Sequence, residues 1–341
     1  MKRMAAEKRQ ELTVMSGIAI LFVLVIHACG YVLGSFYPGV GYASADIFLR
    51  TARSLSNAAV PMFLFASGAK YALHDMETPY GTFLKKRLPR VLMSFFIINT
   101  IFWAIDSYLW IGQFDPILLT KTYISSWLGN TVAYPLWYIP MYCCVIIACP
   151  LVCRIIPQGQ VRLLLYLAIG CAQHILESEI PIFGAHPLDF VAYPVFFEMG
   201  ILVYRHDSST RWRDKVWIIV GYLILGGLIS IAVPSFSQSP LVQYLIFSVW
   251  GTMAYWAFAM RLKTNRLLTW LGGRSYPIFL LHEPVIGRAI KNILQEIGIE
   301  GSLLFTVLWI IGVLLLTLVL IKLLEGLKVD RILWEFRLEQ V

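Results

Sequence analysis

Long apolar stretches recur along the whole chain, and they restrict its fold more than any other feature. Of the 341 residues, 58% are hydrophobic and only 14% are charged, whereas a soluble domain carries about a quarter charged residues. Only lipid covers this much apolar surface, and a bilayer excludes open sheets. The stretches are also too long and continuous for barrel strands. The composition therefore predicts an all-α, polytopic membrane bundle.

Proline, glycine and charged residues divide the chain into about ten predicted transmembrane helices. Of the 28 Lys and Arg residues, 23 fall on the same side as the N-terminus, which predicts cytoplasmic N- and C-termini. We expect one integral membrane domain over 1–341 with no soluble extracytoplasmic domain, in the inner (cytoplasmic) cell membrane. The predicted spans are residues 13–35, 55–73, 91–111, 135–153, 162–178, 189–204, 216–233, 242–260, 268–287 and 302–323.

The net charge of +8 does not indicate nucleic-acid binding, because the basic residues form short clusters between apolar runs, as the positive-inside rule describes. The six cysteines lie inside or at the ends of those runs. They lack metal-ligand spacing with histidine, so we expect packing roles and no metal. The nucleophile-elbow, H-E-x-x-H and P-loop motifs are missing from the chain.

His27 interrupts the first apolar run, Ile18–Ala28. An ionisable group in hydrocarbon is costly and marks a functional site by default. His27 follows Leu12 by 15 residues, about 22 Å along a helix, which places it in the outer half of the membrane. His282 and Glu283 reach a similar depth in the ninth span, so these three groups are candidates for one cavity. The alternative is a structural histidine that hydrogen-bonds a neighbouring span.

The second candidate constellation is the basic segment Lys85–Arg90, between the second and third predicted spans. With Pro89 in the first turn of the third span, its missing N–H would cost nothing. Arg87 and Arg90, three residues apart, would then share one face at the inner surface. Arginine binds phosphate oxygens bidentately. A plain topological anchor is the alternative interpretation.

The third constellation begins at Asn57 and ends at Gly68. Pro61 inside a span predicts a kink, while Ser67 and Gly68 permit close helix approach. Kinked packing explains this segment without any chemistry. Asn57 nevertheless lies on the outer half, where it is a candidate for facing a cavity.

These segments together resemble acyltransferase family 3, the integral membrane O-acyltransferases that modify cell-surface polymers. The resemblance runs in order over about 270 residues. Ser16 stands where family members commonly have arginine, and Pro89 lies inside the R-x-x-R element while a later proline is absent. The matching segments are Ser16–Ile20, Val25–Ala28, Val60–Gly68 ("VPxFFxxSG"), Phe83–Arg90 ("FLxKRxxRxxxP"), Leu136–Ile139 ("LWFL"), Phe196–Gly200 ("FxxG") and Leu271–His282 ("LGxxSYxIYLxH").

The resemblance implies an enzyme that moves an acyl group, with acetyl favoured, from cytoplasmic acetyl-CoA or another acyl-CoA to a hydroxyl. The acceptor would be an extracytoplasmic or lipid-linked glycan or another cell-envelope molecule. Some relatives carry a fused esterase-like domain, and we expect a second transfer step here to need another protein. Membrane lipid is an expected partner, and a homodimer is compatible with the sequence.

The resemblance also implies roles for particular residues. His27 would act as general base or as transient covalent carrier, and the residues leave both roles open. Arg87 and Arg90, with Lys86, would hold the phosphates of the donor. The developing oxyanion needs fixed donors, and the remaining substrate-binding or oxyanion candidates are Asn57, Tyr276, His282 and Glu283.

A proton-coupled transporter or flippase of a cell-envelope precursor is the competing hypothesis. It would use His27, His174 and His282 as a proton relay. Such proteins need paired carboxylates or broken spans in matching halves. Asp106 and Glu198 are the main acidic candidates within the spans, and no half-to-half repeat is visible.

Overall fold

The computed structural model describes residues 2–34, 46–108, 115–127, 134–179, 190–205, 216–233 and 239–334. These ranges are helical throughout, with short turns and no strand. The helices are α1 (Lys2–Leu33), α2 (Asp46–Ser56), α3 (Ala59–Lys70), α4 (Tyr80–Asp106), α5 (Pro116–Trp127), α6 (Tyr138–Ile155), α7 (Gly159–Glu179), α8 (Pro194–Arg205), α9 (Val216–Ala232), α10 (Pro240–Arg261), α11 (Arg266–Gly273), α12 (Ser275–Leu281), α13 (Gly287–Glu296), α14 (Leu303–Gly326) and α15 (Asp330–Leu333).

The helical membrane architecture expected from the composition is present. Each of the ten predicted spans overlaps a helix, and five helical segments of the described chain are long and apolar enough to cross a bilayer. The other predicted spans are shorter or broken, notably 55–73 and 268–287. The five segments are Gln10–Leu33, Tyr80–Ile105, Pro135–Ile155, Pro240–Arg261 and Leu303–Gly326.

Glycines bring two helix pairs into backbone contact. A Cβ on Gly68 of α3 would overlap the carbonyl of Phe197, and one on Gly200 of α8 would overlap that of Phe65. Small residues permit such close approach between membrane helices. The α3–α8 contact therefore requires glycine at both positions.

Glycines also bring α1 and α11 into backbone contact. A Cβ on Gly17 would overlap the Leu268 carbonyl, and a Cβ on Gly272 would overlap the carbonyl of Thr13. Because α11 immediately precedes α12, this contact places α12 alongside α1. The histidines carried by α1 and the end of α12 are thereby brought close together.

The predicted kink at Pro61 is wrong. The chain breaks at residues 57–58, between α2 and α3, and Pro61 lies in the first turn of α3, where its missing N–H costs no intrahelical bond. The tyrosine hydroxyls of Tyr222 and Tyr255 both donate to the carbonyl of Leu55, each at 3.0 Å. These bonds satisfy a carbonyl left open at the end of α2.

Pro89 does not lie in the first turn of its helix, as the sequence had suggested. The helix α4 begins at Tyr80, so Pro89 is in its interior. The third predicted span is thus extended at its N-terminal end by a helical segment that carries Arg87 and Arg90.

Arg162 is also placed differently from expectation. The positive-inside count treated it as a cytoplasmic anchor, but its side chain is fully buried and pairs with the buried carboxylate of Glu198. Its Nε donates to Oε2 at 2.9 Å and its Nη2 to Oε1 at 2.7 Å. This bidentate geometry joins α7 to α8 and compensates both charges.

Candidate active site

A cavity of about 330 Å³ lies where α1, α2, α3, α7, α8, α10 and α12 converge. It lies at the helix ends that adjoin the loops predicted to be extracytoplasmic. Its lining combines aromatic rings with a few polar groups, as small-molecule sites do. The lining residues are Val23, Ile26, His27, Arg53, Asn57, Val60, Pro61, Pro135, Trp137, His174, Ala192, Tyr193, Phe196, Pro240, Gln243, Tyr244, Ser248 and Phe279.

His27 lines this cavity, and the ring of His282 lies against it with centroids 5.1 Å apart. His282 is fully buried. Its Nδ1 lies 2.8 Å from the carbonyl oxygen of Phe279 and 3.2 Å from that of Ile278. A carbonyl only accepts, so Nδ1 carries the proton and, in the neutral ring, Nε2 carries a lone pair.

This tautomer bears on the oxyanion assignment made from the sequence. The Nε2 of His282 is buried and has no hydrogen-bond partner among the described residues. A neutral His282 therefore presents an acceptor rather than a donor at that atom. The geometry suits a proton acceptor and does not suit an oxyanion donor.

Glu283 does not join the histidines in the cavity. It precedes Pro284, which disfavours helical backbone, and its φ of −136° and ψ of 157° are extended. The chain turns away there, and Glu283 Oε1 accepts a hydrogen bond from the Tyr31 hydroxyl at 2.7 Å. The carboxylate thus ties the start of α13 to the end of α1.

Asn57 belongs to a polar network that the sequence did not reveal. Its Nδ2 donates to Gln243 Oε1 at 3.1 Å and to Ser248 Oγ at 3.3 Å. Gln243 in turn donates to Ser54 Oγ at 3.1 Å. The segment Gln243–Trp250 is π-helical, so residues five apart lie on one side of the helix. That geometry places Gln243 and Ser248 together.

Sequence reasoning also missed Arg53, and it named His174 in the proton relay of the competing transporter hypothesis. Arg53 lies on α2, four residues before Asn57, and lines the cavity. His174 lines it too, although its Nδ1 bonds the Gly170 carbonyl at 2.8 Å and its ring stacks on Tyr244 at 4.5 Å. The available signal was the spacing of four residues between Arg53, on a short amphipathic helix, and Asn57, which directly follows that helix.

At the opposite end of α3, basic side chains surround Asp75. The carboxylate is 2% exposed and lies 2.6 Å from Arg87 Nη2 and 3.8 Å from Lys86 Nζ. Lys70, at the end of α3, lies near enough to interact with Arg87 and Arg90. Four cations and one carboxylate therefore meet here, leaving positive charge for an anion. Asp75 itself was not identified from the sequence.

Arg90 and Tyr276 lie in this same basic region. Arg90 Nε donates to the carbonyl of Trp334 at 2.8 Å. Tyr276 lies near Ser94 and Arg90, its buried hydroxyl has no hydrogen-bond partner among the described residues, and it is not among the residues that line the cavity. The structure therefore places Tyr276 with the basic cluster rather than beside His27.

A packed seam of rings connects the basic cluster with the histidines. Ser67 Oγ and the Tyr142 hydroxyl are 3.0 Å apart, and the Tyr142 ring lies 5.7 Å from that of Tyr138. Tyr138 packs on Phe279 at 5.3 Å, which packs on His282 at 5.9 Å. The distance between Ser67 and Tyr142 joins two oxygen atoms, and the other three distances join ring centroids. The seam is a continuous line of polar and aromatic contacts between α3 and His282.

Comparison with known proteins assigns the chain to a family. The family model described as "Acyltransferase domain" matches residues 9–324, nearly the whole chain. The chain belongs to acyltransferase family 3. Membership confirms the resemblance of the sequence motifs and indicates a membrane acyltransferase. No curated protein and no solved structure gives a significant match.

Several motifs of this acyltransferase family 3 member have local structural causes. Gly17, Gly68, Gly200 and Gly272 are the positions of backbone-to-backbone helix contact. Ser16, which replaces the arginine common in the family, donates to the Leu12 carbonyl at 3.0 Å. Its hydroxyl is thus satisfied within α1 and is not directed into the cavity.

Proposed function

We propose that this acyltransferase moves an acetyl or other short acyl group from cytoplasmic acyl-CoA to a hydroxyl of an extracytoplasmic or lipid-linked glycan or other cell-envelope acceptor. The protein would work in the inner cell membrane. The observation that supports this most is the placement of His27, backed by His282, at a cavity near one end of the bundle and of a cationic cluster at the other.

The separation of the two sites suits a donor that enters from one side and an acceptor from the other. Val60 and Pro61 of α3 line the cavity, and Lys70, in the basic cluster, is ten residues further along. At 1.5 Å per residue the two ends are about 15 Å apart. A phosphopantetheine arm, extended along the seam, spans such a distance. The phosphates would stay with Arg87, Arg90 and Lys86.

The reaction requires a base near the hydroxyl. The acceptor oxygen would attack the thioester carbonyl carbon, its proton passing to His27, and the C–S bond would break as the intermediate collapses. The coenzyme A thiolate would take that proton on leaving. In the alternative route, the His27 nitrogen would attack the thioester carbonyl and expel coenzyme A as the thiolate. The acceptor hydroxyl would then displace the acyl group from the imidazole, and its proton would pass to the thiolate.

The polar network would bind the acceptor. Asn57, Gln243 and Ser248 present amide and hydroxyl groups to the cavity beside the aromatic pair Trp137 and Tyr193, whose ring centroids are 5.8 Å apart. Hydroxyl-rich rings bind to such combinations of flat aromatic faces and amide dipoles. This is the expected place for a sugar ring.

Transport receives less support from the same contacts. The carboxylate of Glu198, one of the two acids that a proton relay would use, is paired bidentately with Arg162. The side chain of the other, Asp106, lies outside the described residues. His174 bonds a carbonyl of its own helix. We therefore do not favour a relay through these groups.

The test is transfer of radiolabelled acetyl from acetyl-CoA to glycan in proteoliposomes. His27→Ala should lower transfer by about 100-fold or more, while His74→Ala, at an exposed histidine beyond the end of α3 that does not line the cavity, should leave it unchanged. Retained activity in His27→Ala would remove this residue from the mechanism. Flux of an unmodified precursor without acyl transfer would favour a transporter.

Acid quenching separates the two roles of His27. Label bound covalently to the wild-type protein, and absent from His27→Ala, would identify a covalent carrier. The absence of protein-bound label during turnover would favour a general base.

Arg87→Ala and Arg90→Ala should each weaken acetyl-CoA binding. If both variants bind acetyl-CoA as tightly as the wild type does, these arginines have only an anchoring role.

A further inference from the structure

The chain does not leave the bundle at the end of α14 but folds back across the basic cluster. Residues 327–334, here called the C-terminal strap, contain the short helix α15 and end at Trp334. The family model ends at residue 324. The strap therefore lies beyond the part of the chain that the family match covers.

A sharp reversal at Lys328 begins the strap. The φ of Lys328 is 59°, the only positive value for a residue other than glycine in the described ranges. Lys328 N–H bonds the Glu325 carbonyl and Val329 N–H bonds that of Leu324, both at 3.0 Å. This is the Schellman ending of a helix, which usually has glycine at this position. An L-residue adopts it only at an energetic cost, which other contacts must offset.

Contacts at the far end of the strap offset that cost. Leu333 and Trp334 are 4% and 6% exposed. The Leu333 carbonyl accepts a short hydrogen bond from Ser94, and the Trp334 carbonyl accepts from Arg90 Nε at 2.8 Å. Two successive carbonyls thus hold one face of α4, where Arg90 and Ser94 are one helical turn apart.

The bond to Nε fixes the direction of the guanidinium. Arginine has five N–H donors in a rigid plane, and the Trp334 carbonyl takes the one on Nε. The Nη1 and Nη2 groups have no acceptor among the described residues, and Arg90 is exposed. These are the groups that bind phosphate oxygens in pairs. Lys70 and Arg87 lie beside them.

We infer that the C-terminal strap is a positioning element of the acyl-CoA site: its Trp334 carbonyl aims the guanidinium of Arg90 at a phosphate group of the donor. This rests on the proposed function, which places the donor phosphates at the basic cluster. Trp334 is a positioning residue: it acts through Arg90 and takes no direct part in the acyl transfer.

The experiment measures acetyl-CoA affinity of the purified full chain in nanodiscs. Truncation after Val329 should raise the Kd about tenfold, the effect of losing one hydrogen bond to a charged group. Leu333→Ala should raise it several-fold. Ile332→Ala, on the same turn but 54% exposed, is the matched control and should match wild type.

Steady-state kinetics separate positioning from a purely structural role. The strap variants should raise the KM for acetyl-CoA and leave the KM for the acceptor and the kcat at saturating donor unchanged. A general loss of structure would lower kcat and destabilise the protein in thermal unfolding. If the truncated protein does not fold, Leu333→Ala and Ser94→Ala decide the question in the same assays.

A double-mutant comparison completes the test. In an Arg90→Ala background, truncation should cause no further loss of affinity, because the two changes remove one interaction. Unchanged or tighter binding after truncation alone, or a full additional tenfold loss in the Arg90→Ala background, would overturn the inference. If the strap has no effect while His27→Ala still abolishes transfer, the proposed function stands without it. If the wild type does not bind acyl-CoA, both fail.

Discussion

Asn57 bridges Gln243 and Ser248 through a single Nδ2 atom, at 3.1 and 3.3 Å. Residues five apart on an α-helix point about 140° away from each other. The π-helical segment of α10 brings these two onto the same side. A local departure from α-helical geometry thus builds the polar wall of the cavity, and π-helical turns occur frequently at functional sites.

Loss of the Asn57 amide should weaken acceptor binding. Asn57→Ala leaves Gln243 Oε1 and Ser248 Oγ without their shared donor, so we expect a rise in the KM for acceptor of about tenfold with the KM for acetyl-CoA unchanged. Initial-rate kinetics over both substrates measure this. Asn99→Ala is the control, since that amide also donates to a serine hydroxyl, but it is buried in the contact of α4 with α5. An equal effect of Asn99→Ala on acceptor KM would mean that the loss reflects general stability.

His282 should contribute to the chemical step. His282→Ala removes the buried Nε2 lone pair beside His27, so we expect kcat to fall about 100-fold with donor affinity retained. His282→Asn keeps a polar group without a proton acceptor of comparable basicity, and it should be impaired to a similar degree. Rate measurements at saturating acetyl-CoA decide the matter. Near-wild-type kcat in both variants would assign His282 a packing role only.

Glycine at the α3–α8 contact should be essential for stability. Gly68→Ala places a Cβ into the backbone carbonyl of Phe197, and overpacking of this kind costs about 1–3 kcal/mol or more. Thermal unfolding in detergent should therefore show a lower Tm. Gly227→Ala on α9 is the matched control, because its Cβ would meet open space; there we expect a gain of about 0.5–1 kcal/mol. A Tm for Gly68→Ala at or above wild type would show that these helices are not held in close backbone contact.

Much of the architecture followed from apolar periodicity and small residues, because lipid leaves helices as the only choice for long apolar runs. The residues at which helices begin and end were harder to predict. Pro61 and Pro89 were each assigned to the wrong place in a helix: Pro61 opens α3 and Pro89 lies inside α4. Proline is compatible with a first turn, a kink or an interior position, and packing against neighbouring helices selects among them.

The sequence by itself determined the membrane class and the family, and it supplied the two candidate regions: His27 in an apolar run and the cluster of Lys86, Arg87 and Arg90. Those signals are local: a polar group in hydrocarbon and a run of charge are visible without knowing what lies across the bundle. The tertiary structure decided which residues contact one another across the bundle. It set His282 against His27 and turned Glu283 away to Tyr31, because the backbone breaks before Pro284. It also joined Asn57 to Gln243, and Arg90 to Trp334, over 186 and 244 residues of chain. Contacts at such separations depend on helix packing, which no local pattern encodes.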